Sequence, residues 1–191
     1  MKTLLAALFS VACLTQAQAA IIQFDLLGTA GLGLRSGNEP QPLPFPTSAS
    51  GGEIGAGITY DDVLNQLTLN VGWGSSQGFT DLSSVANNSH IHGPTAANNG
   101  HNFTQTAGVL FTLTRSGNAV AGGTFLNAPL SLTEAQEAEL MNGRWYINLH
   151  TANNGGGEIR GFFVPVPEPS TIALGVGLGA VLLGLRFRRQ H

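Results

Sequence analysis

Leu67-Thr68-Leu69-Asn70-Val71-Gly72-Trp73 sets the fold class. Four large apolar residues alternate with small or polar ones. That is the period of a strand with one buried face, because successive side chains on an extended chain point to opposite sides. The pattern recurs in both directions. Ile21–Leu27 and Gly55–Tyr60 precede it; Val109, Phe111 and Leu113, then Trp145, Ile147 and Leu149, then Glu158–Val164 follow. Arg115-Ser116-Gly117-Asn118 reads as a tight hairpin turn into a strand over Ala119–Phe125. Arg35–Ser50, with four prolines and no period, reads as a loop or extended excursion. One helix interrupts. Thr133-Glu134-Ala135-Gln136 is a capping box, Glu134 suits the positive helix start, and Gly143 sits where a left-handed residue would end it, so the spacing predicts a helix from about Glu134 to Asn142. About seven strands with frequent turn signals predict an all-β, antiparallel sandwich or barrel carrying one short helix.

The N-terminus is of another kind. Lys2, the apolar run Leu4–Leu14 and Ala17-Gln18-Ala19 have the order of a secretory signal peptide over residues 1–19, cut after Ala19. Cys13 is the one cysteine. The residues before it, Ser10-Val11-Ala12, lack the leucine of a lipoprotein signal, so the exported chain is expected to hold no thiol and no disulfide. Its stability must come from its core or from a bound ion. Between Ala20 and Pro165 stand four arginines, no lysine and ten acids, a net charge of −6. Phosphate binding needs clustered basic residues, so nucleic acid and anionic lipid are disfavoured as partners.

The C-terminus carries three elements in order. Val166-Pro167-Glu168-Pro169-Ser170-Thr171 is held extended by its prolines; Ile172–Leu185 is uncharged; Arg186, Arg188 and Arg189 resist translocation. The uncharged run has 14 residues, about 21 Å as a helix against a hydrocarbon core of about 30 Å, and four glycines weaken it. The pattern resembles the PEP-CTERM sorting signal of Gram-negative bacteria. The resemblance implies an exosortase acting at the motif, the secretion machinery as a partner, a C-terminal membrane-spanning helix in the inner membrane over residues 172–185, and a basic tail over 186–191.

Two motifs lie in the exported part. Ser89-His90-Ile91-His92-Gly93-Pro94 is one. Tyr146-Ile147-Asn148-Leu149-His150-Thr151, a glycine/asparagine-rich turn and Gly157-Glu158-Ile159-Arg160-Gly161 make the other. In this order they resemble the CHRD domain, over about Ile21–Val164, which implies an immunoglobulin-like all-β fold with no assigned activity. Glu158 and Arg160 share a strand face and read as a surface pair of little energetic weight, about 0–1 kcal/mol.

His90 and His92 are two apart, so on a strand they face one way, about 6.5 Å apart. His150 ends another strand, and His101 lies in Gly100-His101-Asn102-Phe103. Four imidazoles suit Cu or Zn. The pattern is similar to that of copper/zinc superoxide dismutase, a superoxide-dismutase-like sandwich being of the same architecture, but the mature chain has no disulfide pair, no zinc loop with its aspartate and no identifiable guiding basic residues. The bland reading is that these histidines pin loops to backbone carbonyls, with His101 merely exposed.

The expectation is therefore an exported protein in three parts: signal peptide (1–19), CHRD domain (20–165) and sorting signal (166–191). It would be membrane-anchored through its C-terminus and then displayed at the surface or in the extracellular matrix. A non-enzymatic binding or structural module, with an extracellular polysaccharide or envelope protein as partner, is the first expectation. A metal-binding or metal-dependent redox protein built on the histidines is the alternative. No nucleophile elbow or phosphate-cradling glycine loop is present.

Overall fold

The computed structural model describes residues 20–96, 102–125 and 129–167. Among these the alternating segments form eleven strands, paired antiparallel throughout. They are β1 (Ile21–Gly28), β2 (Gly31–Leu32), β3 (Leu34–Arg35), β4 (Ser50–Asp61), β5 (Gln66–Trp73), β6 (Ala86–His92), β7 (Val109–Thr112), β8 (Gly123–Thr124), β9 (Leu130–Ser131), β10 (Tyr146–Thr151) and β11 (Ile159–Pro165). The helix α1 (Glu134–Met141) lies between β9 and β10. β8 and β9 flank β5; β4 follows, then β3 and β1, then β11, β10, β6 and β7. β1 is held on both sides, Phe24 lying opposite Ile58 of β4 and Pro165 of β11. An isolated bridge between Arg115 and Phe125 links the chain after β7 to the chain after β8, so the two ends of the strand order meet there.

The alternation of β5 delivers its apolar residues to the interior. Leu67, Leu69, Val71 and Trp73 are at most 3% exposed, and they pack with Phe24, Tyr60, Trp145 and Phe163 in one core. Burial of such side chains contributes about 1.5–3 kcal/mol each, which is what a disulfide-free domain must rely on.

Two expectations needed correction. β4 starts at Ser50, not Gly55, and is interrupted between Glu53 and Ile58, where its register with β5 shifts. Glycine-rich Gly51–Gly57 carries too few side chains to display a period. Ala119–Phe125 is not one strand behind a tight turn: only Gly123–Thr124 pair with β5. The carbonyls of Asn118, Val120 and Ala121 instead accept from the backbone of Ala86, Leu82 and Ser76, so this loop stitches other segments together.

Among the described residues no helix is long and apolar enough to cross a membrane. The expected signal peptide (1–19), His101, Glu168–Thr171 of the sorting motif, the membrane-spanning helix over 172–185 and the basic tail all lie outside the described residues. Val166 and Pro167 are described and exposed, and the Val166 amide donates to the Gln23 carbonyl at 2.9 Å.

Candidate metal centre

The site is built by strand register. β6 and β10 pair with Tyr146 opposite His92, Asn148 opposite His90 and His150 opposite Asn88. Residues opposite one another share a sheet face, so the even-numbered side chains of both strands lie together while Ser89, Ile91, Ile147 and Leu149 are buried on the other. His150 is thus a diagonal neighbour of His90. One ring nitrogen from each of His90, His92 and His150 lies within 4.8 Å of the others, and all three rings are half-buried. The structure brings these three predicted residues together.

Backbone carbonyls decide which nitrogens face inward. His92 Nδ1 is 3.0 Å from the Ala107 carbonyl and His150 Nδ1 is 3.0 Å from the Gly155 carbonyl. A carbonyl only accepts, so both Nδ1 atoms carry the proton and both Nε2 atoms carry a lone pair. His150 Nε2 lies 3.2 Å from His90 Nδ1. His92 Nε2 is buried and has no hydrogen-bond partner. An Nδ1–H bonded to a carbonyl is how the tautomer and direction of a metal-binding imidazole are commonly set.

The electrostatics favour neutral rings. Burial pushes His90 below the usual imidazole range, helped by His150, His92 and Arg115. Burial lowers His92 as well, against its bond to Ala107, with His150 and Arg160 adding to the fall. Burial likewise lowers His150, its bond to Gly155 opposing and Arg115 assisting. Neutral imidazole is the form that ligates transition metals. An ideal tetrahedral ion with bonds of about 2.0–2.1 Å would space its ligands about 3.3 Å apart. His90 and His150 already stand at that spacing.

Comparison with protein-family models matches residues 34–163 to the CHRD domain and residues 165–190 to the PEP-CTERM protein-sorting motif. The first match covers well over half the chain. The chain belongs to the CHRD domain family. The second match identifies an exported protein bearing a signal for C-terminal membrane association in Gram-negative bacteria, and it implies processing by an exosortase. No curated protein and no solved structure matches the chain. The CHRD match begins at Leu34, while β1 lies ahead of it and is hydrogen-bonded into the same sheet through β4 and β11.

Behind the histidines the CHRD domain stacks two more side chains. The Tyr146 ring is parallel to His92 at 4.8 Å, and the Arg160 guanidinium lies over Tyr146 at 3.6 Å from the ring centre. The Tyr146 hydroxyl accepts from the Ala107 amide at 3.2 Å, so the ring that supports His92 also holds the segment that orients it. Arg160 donates to the Gln105 carbonyl and faces the carboxylate of Glu39 electrostatically. Residues 102–108 therefore cover this face, a role that the sequence of the segment does not advertise.

The expected surface pair of Glu158 and Arg160 is absent as such: both are buried, at 0% and 1% exposure. Neither needs the other. Glu158 accepts from the Ser83 amide (2.5 Å), the Ser83 hydroxyl (2.6 Å), Thr151 (2.5 Å) and Asn154 (3.2 Å). Asn154 also grips the proline-rich loop, its Oδ1 accepting from the Phe45 amide and its Nδ2 donating to the Phe45 carbonyl, both at 3.0 Å. The second CHRD motif is thus largely a polar clasp. Sequence reasoning missed Ser83 and the grip of Asn154 on Phe45 because their partners lie 75 and 109 residues away, and it missed Thr151 and Asn154 as donors to Glu158 although they are near it in the chain. The Thr–x–x–Asn turn followed by a glutamate was the available local signal.

Proposed function

We propose that this CHRD-domain protein is a surface or extracellular-matrix component whose domain holds one Cu(II) or Zn(II) ion through His90, His92 and His150. The reading rests above all on the buried, unpartnered Nε2 of His92, aimed by Ala107 toward two other imidazoles. A buried lone pair without a donor is costly, by about 1–3 kcal/mol, and a cation would supply what is missing. His150 Nε2 and His90 Nδ1 complete the set, with an ion taking the place of the proton they share. Three neutral nitrogen donors with no carboxylate or thiolate suit Zn or Cu rather than Mg or Ca. Sorting through the PEP-CTERM motif would display the domain in the envelope or release it to the matrix, where extracellular polysaccharide or an envelope protein is the partner. The sheet is read as an immunoglobulin-like sandwich or barrel whose outer face carries the site.

The test is metal analysis of the exported protein, with copper EPR and thermal melting. About one equivalent of metal, nitrogen hyperfine structure and a raised melting temperature are expected; ligand at a hundred times Kd stabilises by about 2.7 kcal/mol. His92→Ala should remove the gain. Protein that carries no metal and melts at one temperature with and without added Cu(II) or Zn(II) would leave the histidines as loop pins only.

A further inference from the structure

We propose that the ion's remaining coordination position takes a small anion, entering from the cleft beside His90 and His150 and attracted by Arg115. The inference rests on the metal reading above and adds an occupant to it.

Charge carries the argument. The three donors are neutral imidazoles, so a divalent ion keeps its full double charge at the site. The cleft on the His90 and His150 side, of about 430 Å³, is lined by Asn87, Asn88, His90, His150 and Gly155 and contains no acid. Arg115 is the cation that acts on both His90 and His150. It lies beside the cleft rather than in it, lining a neighbouring depression that shares Asn88: Nη2 donates to the carbonyl of Asn87, a cleft residue, and Nη1 to Ser89 Oγ, both at 3.1 Å, while Nε is buried without a partner. Arg160 adds a second positive charge beside His92. In a domain of net charge −6, two of the four arginines thus act on one three-histidine cluster. His92 is not among the cleft residues, so the cleft opens on the His90 and His150 side of the cluster. The amide side chains of Asn87 and Asn88 can donate to a bound anion there. A neutral donor such as water would leave the positive charge uncompensated; an anion would offset it.

The experiment loads the exported protein with Cu(II) and titrates azide, reading its charge-transfer absorption and the EPR spectrum. Saturable binding is expected. Arg115→Gln should weaken it about fivefold, and Arg115→Lys should restore most of it, since charge rather than geometry is required. Should Arg115→Gln fail to fold, raising the concentration of non-coordinating perchlorate salt in the unmutated protein should weaken azide in the same direction. D-glucuronate forms a second arm: binding marks a sugar carboxylate of the matrix as an occupant, and binding of azide alone marks a free small anion; either upholds the proposal. A nitrogen-ligated Cu(II) spectrum that azide leaves unchanged overturns the anion inference while the metal site stands. The absence of any nitrogen-ligated Cu(II) overturns the metal reading itself.

Discussion

Three histidines and one glutamate set opposing pH dependences at the residue scale. Burial lowers all three imidazoles, so below pH about 6.5 the unfolded chain binds more protons than the folded one. Their contribution is therefore present above pH 6.5 and lost as the pH falls toward the lowered values. Bound metal should deepen that loss, because protons compete for the same nitrogens. Glu39 acts the other way. Burial, only partly offset by Arg160, pushes its carboxyl up to about 7, and its Oε1 is buried without a partner. Here the folded state holds the extra proton, so stability falls as pH rises from about 4.5 to 7. Each pH step of one across that window costs roughly 1.4 kcal/mol. Glu39→Gln should flatten that limb and stabilise the domain at pH 8 by up to about 3 kcal/mol. Urea denaturation at pH 5 and pH 8 checks this; an equal effect of the substitution at both would contradict it.

At the scale of the element, α1 shows local sequence acting alone. The Gln136 amide donates to Thr133 Oγ1 at 3.3 Å and the Thr133 amide donates to Gln136 Oε1 at 2.9 Å, completing the predicted box. The far end closes as predicted, Gly143 having φ 63°, with the Gly143 amide bonded to Leu140 and the Arg144 amide to Glu139. Thr133→Ala should cost about 1 kcal/mol, read as a lower denaturation midpoint at unchanged slope. The turn between β10 and β11 is held differently. Gly157 has φ 131°, and a Cβ there would lie 2.4 Å from the Asn148 amide, so both conformation and space demand glycine. Asn154→Ala would remove the grip on Phe45 and one of the four donors to Glu158. A loss of about 1–3 kcal/mol is expected, with faster proteolysis within residues 39–47 than elsewhere. Cleavage no faster than in the unmutated protein would show that the proline-rich loop is held by other contacts.

For the whole molecule, the place where the domain ends matters to its sorting. β11 finishes at Pro165 and lies between β1 and β10, so the last strand is interior to the sheet. The next residues, Val166 and Pro167, are exposed, and the sorting motif starts there. Cutting within it would leave every strand pairing intact. In cells containing an exosortase, mass spectrometry of the exported protein should find a C-terminus near Pro167–Ser170. The processed form should melt at the temperature of the same domain before processing. Recovery of intact protein still carrying Arg189 alone would refute processing at this site.

Sequence by itself determined the strand-rich class, the helix with both of its caps, the C-terminal sorting signal and the histidines worth watching. Each depends on residues close in the chain: a period of two, a box of four residues, a run of uncharged ones. It also placed His90 and His92 on one face, since that needs only their spacing. Tertiary structure decided the rest. That His150 lies diagonally from His90 follows from the register of β6 with β10, which no residue of either strand specifies alone. That His92 Nε2 is free follows from Ala107, fifteen residues away and outside any strand. Glu158 and Arg160 show the limit most plainly. Two opposite charges at i and i+2 read as a solvated pair, but residues 102–108, Tyr146, Ser83 and Asn154 enclose them. Long-range packing selects the partners of a buried charge, and the cost of burial falls with each donor supplied.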